Sequence, residues 1–157
     1  AVVKSSKIGD DCRVEEHATV VMSTLGNGCH IGRYGLVNLC TAWPGARISH
    51  GDGFQNCLFG RDSFVAWGAT VLDLSFGKEV VVEGPAGPIS SGQHFLGAAI
   101  GHEVVLGNAV RINHGVAIPN GVTLIGEGQG LLRRWGEAEC REGARFRVRN
   151  GKAEAMD

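Results

Sequence analysis

The chain has 157 residues, which suits one domain, and 43% of them are hydrophobic, enough to form a packed core. Its 15 basic and 16 acidic residues give a formal charge of −1, which offers no support for a nucleic-acid or membrane-surface binder. Glycine contributes 25 residues, and this disfavours a helical bundle because each interior glycine destabilises a helix by about 1 kcal/mol. No apolar run approaches the roughly 20 residues that span a bilayer, so we expect no membrane span.

The five cysteines are odd in number and form no Cys-x-x-Cys pair. This pattern argues against a zinc ribbon or a disulfide framework, and it predicts a protein of the reducing cytoplasm. The chain opens on Ala1 instead of Met. We interpret it as a processed chain or as a piece excised from a longer protein with a further N-terminal domain.

Apolar residues recur along the first half of the chain at steps of six, six and five residues, which gives a larger period of 17. The clearest column of this period consists of Val14, Ile31, Ile48, Val65 and Val82. Such a repeat predicts a parallel β-solenoid with three short faces per coil, in which equivalent residues stack about 4.8 Å apart. An all-β sandwich would instead show two-residue alternation in strands spaced by 8–12 residues, a pattern that this sequence lacks.

The register loosens at residues 84–92, which are rich in glycine and proline, and six-residue steps resume at Ile100. We interpret this stretch as a local bulge in which residues 88–92 still occupy a face. About seven coils then fill residues 1–126. Small residues two places before the apolar ones, including Cys12 and Cys29, form a second inward column, where the cysteines serve as small buried hydrophobic residues.

Residues 127–157 break the period and predict a C-terminal tail that caps the open end of the solenoid. Residues 131–135 predict a short helical turn. Residues 145–149 alternate strictly and precede Asn150 and Gly151, a pair typical of a β-hairpin. We interpret the arginines of the tail as a solvated face, with the phosphate of a ligand as the alternative partner.

Several segments resemble the hexapeptide-repeat superfamily, in which an aliphatic residue is often followed by glycine and, three positions later, by a small residue. The resemblance rests on Ile-Gly-Asp-Asp-Cys-Arg at 8–13, Leu-Gly-Asn-Gly-Cys-His at 25–30 and Leu-Gly-Asn-Ala-Val-Arg at 106–111. It implies an all-β fold, a left-handed parallel β-helix, with a homotrimer whose sites lie in the clefts between subunits.

Residues 42–50 and 64–71 resemble the branch of that superfamily that acetylates sialic acids and amino sugars. The resemblance implies that His50 is the general base, a role suited to imidazole because it titrates near neutral pH. Trp43 stands near the place of an asparagine in that branch. Trp43 and Trp67 flank the region and are expected to pack on the acceptor or on the pantetheine arm of acetyl-CoA.

Two other histidines are candidates for the same chemistry. His114, in Ile-Asn-His-Gly at 112–115, is the second candidate base. His102 adjoins Glu103 and is expected to contact the co-substrate. Counting along the repeat places His102 in the column of His50 and Trp67, and places His114 in the column that contains Arg61.

Three functions remain open at this stage. The favoured one is acetyl transfer from acetyl-CoA to a hydroxyl or amine of a small, sugar-like acceptor. The second is a non-catalytic trimerising solenoid, such as the C-terminal part of a sugar-nucleotidyltransferase. The third is a γ-type carbonic anhydrase, which needs three converging histidines and is disfavoured because no pair of histidines has the required spacing. We therefore expect no metal site. The sequence does not define the acceptor.

Overall fold

The computed structural model describes residues 1–49, 51, 53–127, 130–136 and 139–156. These residues form 23 strands, numbered β1 to β23 along the chain, and no helix. Parallel stacking of short strands builds a β-solenoid of about seven turns, which confirms the predicted all-β fold. The left-handed winding that the resemblance implies stays a prediction.

Each coil contributes one strand to each of three faces in chain order, except that the last coil has no strand on the second face among the described residues. The first face contains β1 (Val2–Lys4), β4 (Thr19–Val21), β7 (Leu36–Asn38), β10 (Gly53–Gln55), β13 (Thr70–Val71), β18 (Arg111–Ile112) and β21 (Leu131–Leu132). The second face contains β2 (Lys7–Ile8), β5 (Thr24–Leu25), β8 (Thr41–Ala42), β11 (Leu58–Phe59), β16 (Ala99–Ile100) and β19 (Ala117–Ile118). The third face contains β3 (Arg13–Val14), β6 (His30–Ile31), β9 (Arg47–Ile48), β12 (Phe64–Val65), β17 (Val105–Leu106), β20 (Thr123–Ile125) and β22 (Arg145–Arg149).

The core is a set of vertical columns of apolar side chains. Ile31 pairs with Ile48, Ile48 with Val65, and Val65 with Leu106, and all four side chains are buried. The second column of small residues is buried as predicted, with Cys29 at 1% exposure and Cys12 half-buried. Stacking of identical positions therefore buries apolar surface along the whole axis, the main stabilising contribution to such a fold.

The predicted bulge at 84–92 is wrong. Leu58 pairs with Ala99, 41 positions further along the chain, where the regular step between coils is 17. Residues 73–96, which we call the insertion, leave the solenoid between the first and second faces and form an antiparallel hairpin of β14 (Val81–Gly84) and β15 (Gly87–Ser90). Val82 accordingly lies in this hairpin and not in the column of Val65. The glycine-rich and proline-rich stretch has the residue spacing of a solenoid face, so the repeat pattern alone does not reveal the insertion.

The C-terminal region adds a final coil to the stack. The strand β21 pairs in parallel with β18, where the sequence predicted a helical turn, and β22 pairs in parallel with β20. The predicted hairpin is confirmed, since β22 turns at Asn150 and Gly151 into the antiparallel β23 (Lys152–Ala155). Trp135 and Phe146 pack edge to face over the last coil, with ring centroids 4.9 Å apart. Among the described residues, no helix is long and apolar enough to cross a membrane.

Candidate functional site

The candidate residues lie at the corners between the faces. The first corner joins the first face to the second and carries His114; the second corner joins the second face to the third and carries Trp43 and His102. The third corner joins the third face to the first and carries Trp67. His50, the first candidate base, lies outside the described residues. A single copy of the chain thus brings Trp43 and His102 together, and it places Trp67 and His114 at two other corners.

Trp43 and His102 form a contact pair at the second corner. Their rings meet edge to face with centroids 5.4 Å apart and planes at 66°, and the Trp43 side chain remains 53% exposed. Below them a groove runs along Arg61, Glu103 and Asn120. An exposed indole beside an imidazole offers both an apolar surface and a hydrogen-bonding group to a ligand.

The ring of His102 has a defined role in the backbone of this corner. The backbone N–H of Arg61 donates to His102 Nδ1 at 2.8 Å, in the same way that the Asp10 N–H donates to Asn27 Oδ1 in the first coils and the His102 N–H to Asn120 Oδ1 in the next coil. His102 therefore replaces an asparagine in a recurring corner hydrogen bond. Because Nδ1 accepts, the neutral ring carries its proton on Nε2, which leaves His102 as a donor toward solvent.

The predicted column of His102 is also wrong, and for the same reason as the bulge. His102 stacks on Arg61 at the second corner, so it shares no column with Trp67. His114 follows β18 at the first corner and does not stack on Arg61. The predicted columns assume that part of the insertion fills a face of the solenoid. This assumption assigns every residue after the insertion to a corner one place away from its true corner.

Trp67 lies at the third corner, beside the turn that contains Gly51. Its side chain is 61% exposed, and a Cβ at Gly51 would lie 2.9 Å from the indole Nε1, so the indole covers this glycine. The preceding coils place Glu16 and Arg33 at the same corner, where Arg33 Nε donates to Glu16 at 2.9 Å. A backbone hydrogen bond, followed by this contact with Arg33, lowers the pKa of Glu16. In the first coils the third corner also carries the stacked rings of His17 and Tyr34, with centroids 4.9 Å apart, so Trp67 continues an aromatic edge.

A cavity of about 520 Å³ opens at the first corner, beside His114. The hairpin of the insertion forms one wall, through Glu83, and the C-terminal segment forms the opposite wall, through Arg133, Arg134, Trp135 and Lys152. The Nδ1 atom of His114 and the Nε1 atom of Trp135 are buried with no hydrogen-bond partner among the described residues. The sequence indicated only the histidine and the arginines here, because the two walls are far apart along the chain.

The cysteines and acidic residues give no other centre in the described part of the chain. No three His, Cys, Asp or Glu side chains converge there in a way that would hold a metal ion. Cys12, Cys29, Cys40 and Cys57 form no disulfide with one another. The Cys57 thiol, which contacts Cys40 in the core, is fully buried, and the hydrogen bond with Cys40 together with burial raises its pKa well above the ordinary value.

The three-faced stack of parallel strands defines the fold of the chain as a β-solenoid. No family model matches the sequence, and no curated protein matches it. Among solved structures, the chain is similar to a variant of AntD, an N-acyltransferase from Bacillus cereus solved with dTDP and coenzyme A. That match has 14% identity, covers 99% of this chain and 76% of the other, and has a TM-score of 0.49.

Two further solved structures are similar at the same level. One is the acetyltransferase domain of PglB from Neisseria gonorrhoeae, with 17% identity, 99% of this chain and 54% of the other covered, and a TM-score of 0.48. The other is the polysialic acid O-acetyltransferase OatWY, with 15% identity, coverage of 99% and 88%, and a TM-score of 0.47. These similarities describe the general course of the chain and assign no residue a role.

Proposed function

We propose that the protein transfers an acyl group, with acetyl as the first choice, from an acyl-CoA to a hydroxyl or amine of a small, sugar-like acceptor. The observation that carries this proposal is the exposed pair of Trp43 and His102, which presents an indole edge and an Nε2–H donor on the surface beside the third face. The pantetheine arm of CoA needs such a surface, because it combines apolar methylenes with amide carbonyls that accept hydrogen bonds.

His50 is the general base of this proposal. Its imidazole takes the proton of the acceptor hydroxyl or amine while that atom bonds to the thioester carbon. The C–S bond then breaks, and the proton passes from the imidazolium to the departing thiolate. In this proposal Trp67, at the third corner, packs against the acceptor. One bond forms and one bond breaks at the carbonyl carbon, and His50 carries one proton from the acceptor to the thiolate, so the reaction balances.

A second copy of the chain completes the site in this proposal. Trp43 and His102 lie at one edge of the third face and Trp67 at the other edge, so one copy presents two half-sites that face away from each other. Apolar side chains on the outside of the second and third faces, Leu58 and Phe64, are 53% and 39% exposed. Packing of these faces against neighbouring copies buries them and joins two corners in one cleft. We therefore propose a homotrimer, as the resemblance implies, in the cytoplasm.

The proposal is tested by incubating the purified chain with acetyl-CoA and a set of amino sugars and hydroxyl sugars, while the release of free CoA thiol is followed. We expect thiol release that depends on an acceptor, and a loss of at least 100-fold in His50→Ala. His94→Ala, which changes an exposed histidine of the insertion, is the matched control and retains activity. Activity lost in His114→Ala and kept in His50→Ala would move the base to the first corner.

Binding separates the catalytic proposal from the non-catalytic alternative. Acetyl-CoA held in a real site raises the melting temperature by mass action, by an amount that grows with its concentration. A purely architectural solenoid shows neither this rise nor turnover. Light scattering measures the molar mass of the protein in solution and so the number of copies in the assembly. A monomer that still transfers acyl groups would contradict the proposal that two copies share the cleft.

A further inference from the structure

We propose that the cavity at the first corner binds the phosphate group of a small organic ligand. This site is separate from the second and third corners to which acyl transfer is assigned above, and it does not depend on that assignment. Its volume of about 520 Å³ lies within the range of pockets that hold small molecules, so an organic group fits beside the phosphate.

The charge of the lining matches a phosphate monoester. Among the lining residues that the structure describes, Arg133, Arg134 and Lys152 contribute three positive charges and Glu83 one negative charge, an excess of two positive charges. A phosphate monoester carries about −1.5 to −2 at neutral pH. None of the three cations takes an ion pair within 4.0 Å among the described residues. Arg147 and Arg149 lie with Lys152 on the hairpin of β22 and β23, which we call the cap, and are by contrast paired with Glu154.

Unsatisfied polar atoms point to a ligand independently of the charges. Trp135 is 7% exposed and lines the cavity, yet its Nε1–H has no acceptor among the described residues. His114 Nδ1, on the facing wall, is buried and equally without a partner in the described chain. A buried donor without a partner is unfavourable, because it has lost its hydrogen bonds to water. An anion between the two walls, which accepts from the indole and from the imidazole, removes this cost.

The walls of the cavity are fixed before any ligand arrives. The backbone N–H groups of Arg133 and Arg134 both donate to the Gly151 carbonyl, at 2.9 and 3.3 Å, and the side chain of Arg133 packs on that glycine. On the facing wall, Gly115 contacts the backbone carbonyl of Val81, and a Cβ there would lie 2.8 Å from Val80 Cγ1. Because the insertion and the cap are both tied to the solenoid, binding costs little ordering of the protein.

The experiment follows the indole Nε1–H resonances of the ¹⁵N-labelled full chain during titration. Inorganic phosphate, adenosine 3′,5′-bisphosphate and glucose 1-phosphate are the probes, and glucose is the uncharged control. We expect the Trp135 resonance to shift with the organic phosphates, more weakly with inorganic phosphate and not with glucose. A Trp135 resonance unmoved by all three phosphates, or moved equally by glucose, would overturn the proposal.

Exposed side chains provide variants that keep the fold. Arg134→Ala and Lys152→Ala are each expected to weaken binding of the organic phosphates about tenfold or more, because each removes a charge-assisted hydrogen bond. Glu83→Gln is expected to strengthen binding, because it removes the opposing carboxylate. Arg145→Ala, on the same cap but outside the cavity, is the matched control and leaves the affinity unchanged. Equal affinities in all four variants would contradict the site.

The probes also distinguish the two sources of such a phosphate. A preference for adenosine 3′,5′-bisphosphate, with displacement by acetyl-CoA, identifies the phosphate end of an acyl-CoA. A preference for glucose 1-phosphate, with no displacement by acetyl-CoA, identifies a phosphorylated sugar. Both results support the phosphate site. Acyl transfer is judged separately by His50→Ala, which leaves the titration of Trp135 unchanged.

Discussion

His102 accepts the backbone N–H of Arg61 through Nδ1 at 2.8 Å, while its ring meets that of Trp43 edge to face. One imidazole thus supports the corner with one nitrogen and keeps its other nitrogen as a hydrogen-bond donor. The structural and binding contributions of this residue are therefore separable by mutation, because asparagine performs the structural part at Asn27 and Asn120.

We expect His102→Asn to fold with a free energy of unfolding within about 0.5 kcal/mol of the parent, because the new Oδ1 accepts the same N–H. We expect His102→Ala to lose about 1 kcal/mol, since the Arg61 N–H loses its acceptor. Urea unfolding measures both. The two variants should weaken acetyl-CoA binding equally, because both remove the Nε2–H and the ring that Trp43 contacts. Unchanged acetyl-CoA affinity in both would reduce His102 to its structural role.

Gly115 is expected to tolerate no side chain. Its φ of +72° favours glycine, and a Cβ would press on the Val81 carbonyl and on Val80, which is fully buried. Gly143, with a φ of +75° and nothing within 4 Å of its Cβ position, is the matched control. We expect Gly143→Ala to cost about 1 kcal/mol for the backbone conformation alone, and Gly115→Ala to cost about 2 kcal/mol or more. Equal losses of stability in the two variants, measured by thermal unfolding, would show that the hairpin moves away from a Cβ at Gly115 without cost.

The buried thiols predict a loss of stability at alkaline pH. The pKa of Cys57 is raised in the folded state by its hydrogen bond with Cys40 and by burial, and burial raises that of Cys29. A raised pKa means that the stabilisation is complete below the unfolded value near 8.5 and falls as the pH rises further, by up to about 1.4 kcal/mol per pH unit for each thiol.

Urea unfolding between pH 8 and 10 measures this dependence. Cys29→Ala should flatten the decline, because it removes a thiol whose pKa is raised chiefly by burial. Cys140→Ala, whose thiol is exposed, is the control and should leave the slope unchanged. A slope that is the same in all three proteins would show that thiol ionisation does not control alkaline stability.

The columns of the core should dominate stability. Ile48 is 2% exposed and stacks between Ile31 and Val65, whereas Ile89, in the hairpin of the insertion, is 52% exposed. We expect Ile48→Ala to lower the free energy of unfolding by about 2–5 kcal/mol, and Ile89→Ala to change it by less than about 0.5 kcal/mol. Comparable losses, measured by urea unfolding, would contradict the stacked core.

The repeat was predictable because each coil obeys the same local rule. A residue such as Ile48 is apolar, opens a segment and faces inward, and the rule holds without knowledge of any distant contact. The insertion was not predictable in this way, because residues 88–92 keep a plausible spacing, and only the pairing of Leu58 with Ala99 shows where the ladder resumes. The predicted column of His102 is wrong for the same reason, because it was counted as if residues 88–92 filled a face.

The first-corner cavity shows a second limit of reasoning from sequence. Its walls come from residue 83, residue 114, residues 133–136 and residue 152, which the periodic pattern treats as unrelated. The sequence pattern indicates the arginines and the histidine separately. Their convergence depends on the position of the hairpin, which lies so close to Gly115 that a Cβ there would meet Val80 and Val81.

The resumption of parallel pairing from Leu58 to Ala99 across the insertion has a consequence for how this protein can diversify. Since the coils on either side bond directly to each other, the hairpin lies outside the ladder of parallel strands, and its length and composition are free to vary while the solenoid beneath it stays the same. A descendant of this chain can exchange that one appendage, and with it the ligand it selects, without rebuilding its interior.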